Sequence, residues 1–99
     1  MSGRPQNRLI SAAIHTAIQD FPGGEIVGYH QLRTRRAGAR RYVDLHVQFR
    51  AGTTLEEAHG IAHDLQDRIA ARIRGADVLI HLEPEDKVRE DPIESALPT

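Results

Sequence analysis

Between Asn7 and Asp20 the apolar stripe is Leu9, Ile10, Ala13, Ile14, Ala17 and Ile18. Steps of one, three and four put all six on one face of a helix. Asn7 is the expected N-cap, and Pro22-Gly23-Gly24 stops the segment. The period then changes. Arg40 to Arg50 alternates, with Val43, Leu45, Val47 and Phe49 on one face and Tyr42, Asp44, His46 and Gln48 on the other, which is the pattern of a half-buried strand. Glu25 to Arg36 reads as its hairpin partner across Ala37-Gly38-Ala39, where Gly38 is free to take positive φ. This first strand breaks alternation: Ile26, His30 and Leu32 share one parity, Val27 and Tyr29 the other. A bulge near Gly28 would reconcile them.

A second helical pattern follows. Thr53 or Thr54 caps it, with Glu56 or Glu57 three residues later completing a capping box. Its expected buried stripe is Leu55, Ala58, Ala62, Leu65, Ile69 and Ile73, and Gly75 ends it. Ala76 to Glu83 is the last strand, with Val78, Ile80 and Leu82 inward and Leu79, His81 and Glu83 outward. The predicted fold is α+β, an α-β-β-α-β open-faced sandwich. A three-stranded mixed sheet carries both helices on one face. Residues 1–6 read as a disordered leader, 7–84 as the domain, and 85–99 as a flexible acidic tail with prolines.

Ninety-nine residues suit one small domain. The absence of cysteine excludes disulfides and thiolate metal sites, so any metal must take nitrogen and oxygen ligands. No run approaches the roughly 18 apolar residues of a membrane span, and MSGRPQNR has no apolar core, so it is not a signal peptide. A cytoplasmic location is expected. Arg33, Arg35, Arg36, Arg40 and Arg41 crowd the hairpin, whereas acidic residues gather after Glu83. The arginines suit phosphates of nucleic acid or lipid headgroups, but only Tyr29 and Tyr42 lie near them, so base stacking is weakly supported, nucleic acid is not the expected partner, and a solvated hairpin tip is the favoured reading. No nucleophile, base and oxyanion donor can be named together, so an enzyme is not predicted.

Six histidines carry the candidate chemistry. His81 and Glu83, two apart on one strand, emerge on the same face, and His46 lies on the outward face of the second strand. Two imidazoles and a carboxylate suit zinc or a similar ion. His30 joins them if the bulge re-aims it. A solitary histidine on a sheet face is most often an ordinary polar residue; the pairing of His81 with Glu83 is the stronger signal. His59 and His63 are i, i+4 on the long helix and can chelate one ion, but HGIAH lacks the glutamate of a zinc peptidase. His15 reads as incidental.

Four segments together resemble a known family. They are Phe21-Pro22-Gly23 through Val27-Gly28-Tyr29-His30-Gln31-Leu32-Arg33-Thr34-Arg35; Tyr42-Val43-Asp44-Leu45-His46-Val47; Thr54-Leu55-Glu56-Glu57-Ala58-His59-Gly60-Ile61-Ala62; and Val78-Leu79-Ile80-His81-Leu82-Glu83-Pro84. The stretch resembles the C-terminal cytoplasmic domain of cation diffusion facilitator metal transporters. The resemblance implies a metallochaperone-like, ferredoxin-like fold that dimerises, and binding of Zn²⁺ or another divalent ion (Co²⁺, Ni²⁺, Mn²⁺ or Fe²⁺) near the dimer interface. It implies the ligands His30, His46, His59, His81 and Glu83, the last where relatives often carry aspartate. It also implies attachment to a transmembrane domain absent from this chain. The expected function is regulatory: metal stabilises a closed homodimer and modulates efflux. The alternatives are a constitutive dimerisation scaffold and a stand-alone metal-binding protein.

Overall fold

A computed structural model describes residues 4–85 of the chain. Helix α1 spans Arg4–Gln19, strand β1 Ile26–Ala37, strand β2 Arg40–Phe49, helix α2 Leu55–Arg72 and strand β3 Ala76–Pro84. The element order is the predicted one. Helix α1 starts at Arg4, three residues earlier than expected, so Asn7 lies inside the helix and does not cap it. The expected leader therefore keeps only residues 1–3 outside the described part, and the expected tail lies outside it beyond Glu85.

The sheet order is β1-β2-β3. β1 pairs antiparallel with β2, and β2 pairs parallel with β3. The sheet is therefore mixed, with α2 as the crossover that a parallel pair requires. Val43, Leu45, Val47 and Phe49 form the buried face of β2. They pack with Ile10, Ile14, Ala17 and Ile18 of α1 and with Ala58, Ala62, Leu65 and Ile69 of α2. Leu45, Leu65 and Ile69 are fully buried. The opposite face of the sheet carries polar side chains together with the exposed Tyr42 and Leu79.

The capping box is Thr54 with Glu57. The Glu57 N–H donates to Thr54 Oγ1 at 3.0 Å, and the Thr54 N–H donates to Glu57 Oε1 at 2.9 Å. The expected stripe of α2 is correct except at its first member: Leu55 is 68% exposed. As the first residue after the cap it precedes the turn that meets the sheet.

Strand β1 departs from regular pairing twice, between Ile26 and Gly28 and between His30 and Arg33. The first departure is the bulge expected near Gly28. It turns His30 to the outer face, opposite His46, although Ile26 of the same parity packs against the core. The second is centred on Gln31, whose φ is +52°. It returns Leu32 to the core side. Two irregularities thus bracket His30, and between them they explain the broken alternation.

Candidate metal centre

The strand registers align three histidines in one row across the sheet. His30 of β1 lies opposite His46 of β2, and His46 lies opposite His81 of β3. The His30 and His46 rings meet edge-on at 5.3 Å between centroids, and His46 stacks on His81 at 4.5 Å. One step along the outer face, the next row holds Gly28, Gln48 and Glu83. A Cβ at Gly28 would come within 2.9 Å of Gln48 Oε1, the far end of a flexible side chain.

Glu83 and His30 stand two strand spacings apart, roughly 9.6 Å, and their side chains meet over β2, where the carboxylate holds both imidazoles. His30 Nε2 lies 2.7 Å from Glu83 Oε1, and His46 Nδ1 lies 2.7 Å from Glu83 Oε2. An ionised carboxylate only accepts, so each ring nitrogen donates. Burial pushes the Glu83 carboxyl upward, but the hydrogen bonds and positive field of His30 and His46 outweigh it and hold it below its ordinary value. His81 is paired separately: its Nε2 lies 2.8 Å from Asp44 Oδ1.

One ligand atom each from His30, His46 and Glu83 lies within 4.8 Å of the others. Tetrahedral zinc with bonds of about 2.0–2.1 Å spaces its ligand atoms about 3.3 Å apart. The two 2.7 Å contacts would open by well under an ångström, and the two imidazole nitrogens, within 4.8 Å of each other, would settle at a like spacing, so the donor set is compatible with such an ion. The nitrogens that now donate to Glu83 are the ones that would ligate. To ligate an ion, each of these nitrogens would have to give up the proton it now donates to Glu83.

The five residues expected as ligands are thus divided. His30, His46 and Glu83 converge. His81 stacks against them but faces Asp44. His59 is exposed on α2, the helix that covers the other face of the sheet, and is not part of the cluster. His63 is likewise exposed. His15, read as incidental, hydrogen-bonds the Tyr29 hydroxyl at 3.1 Å. Asp44 was not among the expected site residues. Its signal was in the sequence: it shares the outward parity of His46 two residues away.

The family described as the cytoplasmic domain of cation efflux proteins matches residues 7–85. The chain belongs to that family. Among curated relatives, the cation-efflux pump FieF of Pectobacterium carotovorum (strain PC1) is 42% identical over 79 residues, covering 80% of this chain and 26% of the relative. FieF of Yersinia pestis (strain Pestoides F) is 40% identical over 67 residues, covering 68% of this chain and 22% of the relative. The chain thus spans about a quarter of those pumps. A solved structure of CzrB, a candidate zinc transporter, in its zinc form superposes with a TM-score of 0.72 at 32% identity, covering 85% of this chain and 90% of that one. The metal-bound C-terminal domain of the CzcD transporter from Thermotoga maritima shares the fold, with a TM-score of 0.74 at 21% identity and coverage of 81% and 92%. The matching family is described as the cytoplasmic domain of cation efflux proteins, which places this domain on the cytoplasmic side. No helix among the described residues is long and apolar enough to cross a membrane.

Proposed function

We propose that the domain binds a divalent transition-metal ion through His30, His46 and Glu83, with His81 and Asp44 supporting or extending the site. Binding occurs at or near a homodimer interface and stabilises a closed dimer, which modulates efflux by an attached transmembrane domain. The convergence of two imidazole nitrogens and a carboxylate oxygen within 4.8 Å carries this reading. The related solved structures, one a zinc form and one a metal-bound domain, support it. Nitrogen and oxygen donors suit Zn²⁺ and its neighbours, and zinc is the first ion to test.

The dimer is supported by the surface around the site. Tyr42 and Leu79, on the outer face, are 36% and 55% exposed. Exposed apolar area beside a polar cluster fits a second copy. Metal acts by affinity: an ion that binds the closed arrangement more tightly shifts the equilibrium towards it. His59, away from the cluster of its own protomer, remains available to a partner's site.

Zinc titration by calorimetry on chelator-stripped protein tests the assignment. His46→Ala is expected to remove the saturable site. His81→Ala and Asp44→Asn are expected to weaken it about 10- to 100-fold, the range for groups that orient metal ligands. Identical titrations for the wild type and His46→Ala would refute the site and favour a constitutive dimerisation scaffold.

A further inference from the structure

The arginine-rich hairpin takes no part in the metal cluster. Its tip opens onto a cleft of about 470 Å³ lined by Arg36, Arg41, Arg72 and Arg74 together with Leu9 and Ile10. Arg36 and Arg41 lie directly opposite each other across β1 and β2. Like charges in that position repel. Both occupy the parity that faces the core further along the sheet, where Thr34 pairs with Val43. The Arg41 N–H donates to the Gly75 carbonyl at 3.0 Å, which ties the hairpin tip to the end of α2 and brings Arg72 and Arg74 alongside. Asp77 pairs with Arg40. Among the described residues no ion pair engages the four cleft arginines. Leu9, at the cleft's rim, is 70% exposed.

We infer that this cleft binds an anionic phospholipid surface. Four guanidinium groups match phosphate oxygens in charge and geometry. The apolar rim matches the glycerol and upper acyl region, which free phosphate lacks. The cytoplasmic domain of an efflux protein works beside a membrane, so the ligand is at hand. The cleft lies at the Ala76 end of β3, and Glu83 lies near the other end, roughly 23 Å away along the strand. Docking the arginine end on the bilayer therefore leaves the histidine row free for metal and for a partner copy.

Sedimentation of the full chain with vesicles tests this. Binding is expected to mixed phosphatidylcholine–phosphatidylglycerol vesicles and not to pure phosphatidylcholine. A basic residue near an anionic surface adds about fivefold to partitioning, so Arg72→Ala with Arg74→Ala should lose about 25-fold. Both residues are exposed, and thermal melting checks that the fold is kept. His46→Ala and chelator should leave vesicle binding unchanged, which separates this site from the metal reading. Leu9→Ser should weaken vesicle binding further. Full displacement by millimolar inorganic phosphate, no effect of the arginine changes, or tighter retention by RNA than by vesicles would each overturn the proposal.

Discussion

Burial alone would raise the Glu83 carboxyl, but the hydrogen bonds from His30 and His46 hold it below its ordinary value. The consequence for stability has a definite sign. With a lowered folded-state value, ionised Glu83 stabilises the fold fully above the unfolded value of 4.5 and loses that effect as pH falls through the folded value. Urea unfolding in chelator should show wild type above Glu83→Gln near neutrality, with the gap closing below pH 4.5. A gap that widens on acidification would mean the carboxylate is not held by its histidines. The length of Glu83 matters as much as its charge, because the side chain bridges from β3 to β1. Sequence parity put His46, His81 and Glu83 on one face. It could not show that Glu83 would join His30 and His46 while His81 turned to Asp44. That choice depends on which strands are neighbours.

At the scale of elements, two local devices position the site. The capping box starts α2, and Thr54→Ala should cost about 1 kcal/mol in chemical denaturation while leaving zinc affinity unchanged. The irregularity at Gln31 does the reverse. Its φ of +52° disfavours a β-branched side chain, so Gln31→Val should cost about 1–2 kcal/mol and also weaken zinc binding by disturbing His30. Gln31→Gly should tolerate the same backbone without that loss. Equal zinc affinity for Gln31→Val and wild type would show that the bulge does not aim His30. The capping box was legible as Thr-x-x-Glu. The first bulge was legible as a break in alternation at Gly28, but the second was not, because glutamine in a left-handed conformation leaves no mark in the hydrophobic pattern.

For the whole molecule, the sheet has one face covered by helices and one left to the metal cluster and exposed apolar residues. Small-angle scattering is the fitting measurement. Zinc should compact the dimer, and chelator should reverse the change. A dimer of the same dimensions with and without zinc would favour the scaffold. In the core, Leu45 is fully buried in the central strand, and Leu45→Ala should cost about 2–5 kcal/mol in denaturation experiments. That loss should accompany no specific change in metal stoichiometry.

The sequence alone determined the five elements and, outside β1 and the first residue of α2, their faces, because periodicity in apolar residues is set by helix and strand geometry over short distances. It also determined the donor chemistry, since a chain without cysteine leaves imidazole and carboxylate. Tertiary structure decided which donors meet. Strand order β1-β2-β3 and the bracketed bulges set His30, His46 and His81 in one row and left His59 on the far layer. The same packing brought the end of α2 to the hairpin tip, so that arginines more than 30 positions apart share one cleft. Register and crossover are long-range properties, fixed by how the faces pack rather than by the order of residues along each one.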